Sequence, residues 1–111
     1  MKRAELDVFD EMPFIAWAKD ASGTYVWGNR VINEFAQQNV EGKRDDELTW
    51  AGNADHLRKA DEEVFRTGRA QFVHEHVDES GRGKSQLSVC KWLGHLDGVQ
   101  CAFGVSFVID D

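Results

Sequence analysis

The sequence predicts an α+β domain: a five-stranded antiparallel sheet with helices on one face and a helical lead-in at the N-terminus. Two β-like segments come first, three come last, and segments of helical period lie between them. The order of elements therefore reads β-β-α-α-α-β-β-β. Within each block, successive β segments are joined by short Gly-containing turns, which makes them antiparallel neighbours. The length of 111 residues is that of one domain, and 41% hydrophobic with 30% charged residues is a globular composition. Such a chain buries somewhat over roughly 60% of its unfolded surface, enough for one core with a small cavity. Helices between the β blocks can cover one sheet face and leave the other to the lead-in or to a second subunit.

Ala4 to Glu11 is a polar lead-in in which Leu6, Phe9 and Met12 recur three apart, and the sole proline, Pro13, ends it. A stripe this short is unstable alone in water, so it must dock on something. Phe14 to Lys19 reads as a strand. In the turn Asp20-Ala21-Ser22-Gly23 the carboxylate bonds to amides ahead of it and the glycine takes a positive φ. Thr24 to Gly28 returns as the second strand.

Asn29 suits a helix N-cap, and Val31, Ile32, Phe35 and Ala36 behind it share one face, with Gly42 following the helix. Lys43 to Trp50 is polar with two apolar anchors and predicts a short helical turn over the core. Asn53 is placed to cap a longer helix. In it Leu57, Ala60, Val64 and Phe65 share a face, Asp55 and Lys59 make an i,i+4 pair, and Gly68 is the stop.

From Ala70 to Asp78 the period is two, with Phe72, His74 and His76 on one side and Val73, Glu75 and Val77 on the other. Glu79 to Gly83 reads as a turn and Ser85 to Leu96 as a long strand. Asp97-Gly98 is a hairpin turn, and Gln100 to Ile109 is a final, almost continuously apolar strand.

The charge of −7, from 20 acidic and 13 basic residues, repels phosphates. Direct nucleic-acid contact and binding to anionic membrane surfaces are disfavoured on that ground. No apolar run approaches the ~20 residues that span a bilayer. Met1-Lys2-Arg3-Ala4-Glu5 has no apolar stretch behind its basic residues, so no secretory signal is read. Cys90 and Cys101 are too few for a disulfide framework and fit strand positions in a reducing cytoplasm. With 4 tryptophans and 7 phenylalanines, bulky rings must be placed in a core, a cavity wall or an interface.

In its ordered motifs the chain resembles the PAS (Per-Arnt-Sim) family over some 100 of its residues. Lys19-Asp20-Ala21-Ser22-Gly23-Thr24-Tyr25-Val26-Trp27-Gly28-Asn29 resembles the family's Asp-x-x-Gly hairpin running into the Asn that opens the first core helix. Gly42-Lys43-Arg44-Asp45 is similar to the family's Gly-Lys-x-Asp approach to the short middle helices. Thr67-Gly68 resembles the end of the long helix, and Trp92 with Asp97-Gly98 fits the last hairpin. Gly104 to Asp110 resembles the final strand and acidic exit, although Val108-Ile109-Asp110-Asp111 stands where the family usually ends in Asp-Ile-Thr.

The resemblance implies a non-enzymatic sensory or interaction module in cytoplasmic signalling, such as part of a histidine kinase or a transcriptional regulator. Residues 1–12 would be the lead-in and residues 13–111 the PAS domain. Partners implied are a small-molecule ligand, a second copy in a homodimer, and a downstream output domain of the same polypeptide. The expected dimer surface is the sheet's outer face with the N-terminal helix.

Candidates for a small organic ligand's site between helices and sheet are Phe35, Leu48, Trp50, Leu57 and Val64 from the helices. Val26, Phe72, His74, Val89, Phe103 and Val105 are the strand candidates, with His74 supplying a polar group. The same residues would equally make a closed core and a pure dimerisation module. Leu6, Phe9, Trp17, Tyr25 and Trp27 are the interface candidates, placed on the opposite face. A one-residue slip inverts the faces of any strand.

Other motifs are weaker. His74-Glu75-His76 lacks the helical His-Glu-x-x-His spacing of a zinc site, since Asp78 stands four after His74. Gly81-Arg82-Gly83-Lys84-Ser85 lacks the first Gly of a phosphate loop, Asp78 standing there too. In haem-binding members a histidine of the long helix is the axial ligand. His56 is thus the candidate if haem is bound, against a plain solvent-facing residue beside Asp55. Cys90 and Cys101 lie on strands, away from the middle-helix cysteine of flavin photosensors, so a covalent flavin switch is not expected.

Overall fold

Short turns force each β block into antiparallel hairpins, and the two blocks join edge to edge in one sheet. The computed structural model describes residues 1–80 and 83–109, with side chains of 1–75 and 86–109. The strands are β1 (Ile15–Lys19), β2 (Tyr25–Gly28), β3 (Gln71–Ser80), β4 (Gly83–Leu96) and β5 (Val99–Val108). They pair in the order β2-β1-β5-β4-β3, all neighbours antiparallel. Helices α1 (Arg30–Ala36) and α2 (Ala54–Thr67), with 3-10 turns at Asp45–Glu47 and Ala51–Asn53, cover one face. The lead-in is a 3-10 helix, Arg3–Phe9, and it covers part of the other face. The turn expected around Gly81 and Arg82 and the acidic end at Asp110 and Asp111 lie outside the described residues.

Local chemistry forms the turns as the sequence predicts. Asp20 Oδ1 accepts from the Ser22 and Thr24 amides at 3.0 and 3.1 Å, and Gly23 sits at φ 86°. Helix α1 ends earlier than Gly42 suggests: Gln37 takes the left-handed cap at φ 58°, and the chain loops back to bury Val40. On α2 the exposed partner of Asp55 is Arg58 at 3.7 Å, not Lys59. Its buried face carries Leu57, Asp61 and Val64, with Phe65 only half-buried.

Pairing decides which residues face the helices. One row across the sheet is Ile15, Ser106, Val89 and Val73, and the next is Trp17, Gly104, Lys91 and Gln71. These are the helix-side rows. Trp17 lies flat over Gly104, where an added Cβ would stand 2.3 Å from Cζ2, so only glycine fits beneath the ring. On β3 the pairing turns Val73 and Glu75 inward and leaves Phe72 78% exposed, with His74 also exposed.

The β1–β2 register shifts between Ala18 and Lys19, because Val26 is an extra residue on β2. That bulge puts Tyr25 in the helix-side core and Trp27 in the outer cluster. The outer cluster joins Leu6, Ala16, Ala18, Trp27, Leu96, Cys101 and Phe103, with Phe9, Val26 and Val105 packed on it. Burying Leu6 there contributes roughly 2 kcal/mol, which docks a lead-in too short to be stable alone.

Asn29 ties these layers together. Its side-chain oxygen accepts from Ile32 N at 3.1 Å, as an N-cap, and from Ala16 N at 3.2 Å. Its Nδ2 donates to Phe9 O at 3.0 Å and Phe14 O at 2.7 Å. An Asn29→Ala variant strands four buried or half-buried partners and should lose about 3 kcal/mol or more in urea unfolding. A loss no larger than that of an ordinary exposed cap, about 1 kcal/mol, would contradict this role.

Candidate functional site

Five ionisable side chains meet in the space between helices and sheet. Lys19 Nζ, at the end of β1, donates to Asp45 Oδ2 and Asp61 Oδ2, each at 2.7 Å. Lys91 Nζ, on β4, donates to Glu75 Oε2 of β3 at 3.0 Å and lies 3.0 Å from Asp61 Oδ1. The Lys91–Asp61 contact is ionic rather than a directed hydrogen bond, since Asp61 Oδ1 has no hydrogen-bonding partner. Asp45 Oδ1 accepts from Tyr25 Oη at 2.7 Å and Trp50 Nε1 at 2.8 Å. All five charged groups are buried, and three carboxylates against two ammonium groups leave the cluster formally at −1.

Burial alone would push the Lys19 ammonium down, but the Asp45 and Asp61 carboxylates outweigh it and hold its pKa above the usual lysine value. For Asp45, burial would raise the pKa. The Lys19 charge and the hydrogen bonds from Lys19, Trp50 and Tyr25 win, holding it below the usual aspartate value. Burial first, and then the Asp45 charge, push the Tyr25 phenol well up, so it stays a donor.

Beside this cluster lies a cavity of about 40 Å³, lined by Ile15, Trp17, Lys19, Tyr25, Ile32, Phe35, Trp50, Leu57, Glu75, Leu87, Lys91 and Ser106. At ~10–15 Å³ per water it has room for about three. Two polar atoms of its wall residues are buried without a partner: Trp17 Nε1 and Ser106 Oγ. An outward groove of about 230 Å³ shares Ile15, Phe35 and Ser106 with the cavity and opens between α1 and β5, past Val31 and Phe107.

Of the expected ligand-site residues, Phe35, Trp50 and Leu57 line the cavity. Leu48, Val64 and Val89 are buried around it without lining it. Phe72 and His74 point to solvent, and Val26, Phe103 and Val105 belong to the opposite face. The reason is strand parity: β5 is apolar on both sides, and small residues (Ala102, Gly104, Ser106) go inward to admit Trp17. Trp17 and Tyr25, expected on the outer face, are cavity walls. Leu6 and Trp27 are buried in the chain's own outer cluster and Phe9 packs edge-on to Trp27, so none of the three is a free apolar side chain on the surface. The aromatics exposed on that face are Phe72, Trp92 and Phe107. His56 is exposed and does not line the cavity. Among the described residues no three His, Cys, Asp or Glu side chains group to hold a metal ion.

Sequence reasoning missed all five charged residues of the cluster, Lys19, Asp45, Asp61, Glu75 and Lys91, and also Ser106. The signal was present. Lys19 follows Ile15 and Trp17 at period two, and Asp61 lies four after Leu57 and three before Val64. Glu75 and Lys91 share parity with Val73 and Val89. A charge at a core-facing position is costly unless paired, so each of the four implied another.

Stability should follow the sign of these shifts. Asp45 is depressed in the folded state, so its contribution is present above the ordinary aspartate value of 3.8 and is lost as pH falls through the folded value. Lys19 is raised, so its contribution is present below 10.5 and is lost as pH rises through its folded value. Asp45→Asn should flatten the acid limb of stability against pH. At neutral pH it should cost about 3–5 kcal/mol by leaving Lys19 short of a partner. Urea titrations across pH would show this, and an unchanged acid limb would refute it.

The sequence matches the PAS fold family over residues 9–108. Among solved structures, the chain is similar to VqmA of Vibrio cholerae, a dimer described among LuxR-type receptors. The TM-score is 0.83 at 18% identity, over 97% of this chain and 51% of that one. It is similar to VqmA bound to DPO (TM-score 0.82, 17% identity, 96% of this chain and 57% of that one). It is also similar to the PAS domain of an HTR-like protein from Haloarcula marismortui (TM-score 0.73, 17% identity, 96% and 89%). The chain thus spans about half the length of the VqmA structures. No curated protein matches it in sequence. Among the described residues no helix is long and apolar enough to cross a membrane. With the family match covering most of its length and a five-stranded sheet under two helices, this chain belongs to the PAS fold family.

Proposed function

We propose that this chain is a non-enzymatic, cytoplasmic sensory module that binds a small, mostly apolar ligand between helices and sheet. Residues 1–12 serve as its lead-in and 13–111 as the sensory domain. Occupancy is relayed to an output domain of the same polypeptide, such as a transcription regulator's. The observation that carries the reading is the small ring-walled cavity with two buried, unpartnered polar atoms, Trp17 Nε1 and Ser106 Oγ. A merely packed core would pair or omit such groups. Support also comes from the VqmA structures, described with DPO and with DNA.

The signal is a population shift: a ligand favours whichever helix arrangement it binds better, and each ~1.4 kcal/mol of differential affinity changes the ratio tenfold. An NMR screen of small amides, alcohols and aromatics should give saturable shifts clustered at Phe35, Trp50 and Leu57. Leu57→Phe, which fills the cavity, should abolish them while the variant still unfolds cooperatively. Shifts scattered over the surface, or unchanged in Leu57→Phe, would count against the site.

A second surface belongs to self-association. Phe72, Trp92 and Phe107 are exposed on the outer sheet face at 78%, 37% and 53%. A homodimer would cover them beside the lead-in, and VqmA, similar in fold, is described as a dimer. Phe107→Glu should turn dimer into monomer in sedimentation while the variant still unfolds cooperatively, its midpoint matching that of the wild type diluted to monomer. A wild-type monomer at high concentration would remove this reading.

A further inference from the structure

We infer that the cavity's ligand is a small uncharged molecule, about one ring in size, that presents a carbonyl oxygen or an unprotonated ring nitrogen to Trp17 Nε1 and Ser106 Oγ. This rests on the ligand-site reading above and adds the chemistry of the occupant.

The argument is an inventory of donors. An indole N–H can only donate, and a serine hydroxyl can donate to whatever lies opposite. Both atoms are buried and unpartnered. They stand on paired strands of the same face: Trp17 opposes Gly104, and Ser106 lies two residues further along β5, opposite Ile15. A single acceptor edge of one ligand is the kind of group both can address. Without a ligand, water is the occupant that a space for about three waters beside two donors suits. A ligand that displaces ordered water without reproducing its hydrogen bonds loses affinity, so a purely apolar occupant is disfavoured.

Charge narrows the class further. Lys19 and Lys91 are both engaged by carboxylates, and the carboxylates outnumber them. An anionic ligand finds no free cation and meets one excess negative charge. A cationic ligand brings only donors to Trp17 Nε1, which itself can only donate, and the carboxylates within reach, Glu75 and Asp61, already face Lys91 at 3.0 Å. Size follows from the walls. The cavity alone is smaller than a ring, but it shares Ile15, Phe35 and Ser106 with the groove beside α1, so a ring-sized occupant reaches into that groove as the shared walls give way.

Benzamide, toluene, benzoate and benzylamine share one ring and differ in the group it carries. Each is titrated into the ¹⁵N-labelled chain, with the Trp17 indole signal identified by its loss in Trp17→Phe. Benzamide should move that signal downfield and saturably. Toluene, benzoate and benzylamine should bind about tenfold more weakly or not at all. Trp17→Phe and Ser106→Ala should each weaken benzamide about five- to tenfold. If toluene, benzoate or benzylamine binds in the cavity as tightly as benzamide, the acceptor rule falls while the ligand site stands. The rule falls equally if benzamide binds both variants as it binds the wild type. If no probe moves any cavity residue, the inference and the ligand-site reading fall together.

Discussion

The buried ion cluster is the constraint on which the arrangement depends. Lys19 and Lys91 come from two strands, Glu75 from a third, Asp61 from α2 and Asp45 from the 3-10 turn. No member is tolerable in that environment alone, because an unpaired buried charge costs several kcal/mol. Each charge therefore specifies where its partner's element must lie. Apolar packing sets that α2 covers the sheet. The ion pairs set where along the sheet it sits, since a slide that carries Asp61 away from Lys19 and Lys91 leaves that carboxylate with no cation and each lysine one carboxylate short.

That coupling bears on how a helix–sheet cavity can report its contents. Tyr25 and Trp50 both donate to Asp45 and both line the cavity. A displaced ring at either place perturbs a hydrogen bond to a carboxylate that also holds Lys19. From Lys19 the path enters β1, which pairs with β5 along its whole length. Trp17 is on the same strand, lying on Gly104 of β5. The cavity floor thus includes both strands that join the β blocks, and movement there is movement of the sheet's centre.

Much of this was legible from residues. The Asp20 turn, the Asn29 cap and the left-handed Gly23, Gly68 and Gly98 are local chemistry, and each forms as the sequence predicts. The cavity walls Phe35 and Leu57 were legible because a 3.6 period identifies one buried face of α1 and of α2, although Asn53, expected to cap α2, makes no side-chain cap bond; Trp50 was legible as an apolar anchor of the polar segment Lys43 to Trp50. The strand-borne walls were not. Phe72 and His74 were placed inside on a period of two that has apolar residues on both sides; Tyr25 was placed outside with Trp27 for want of the β-bulge at Val26, and Trp17 for want of its register with Gly104.

By itself the sequence determined the elements, their order, their antiparallel pairing and the PAS resemblance. These depend on short-range rules: turn residues, caps and periodicity within a dozen residues. Only the tertiary structure decided which strand faces turn inward and which charges meet. Parity within a strand is set by its register with a partner far along the chain, as Ile15 with Ser106 or Val73 with Val89. A salt bridge between Lys19 and Asp61 likewise has no meaning until the sheet and α2 are brought together.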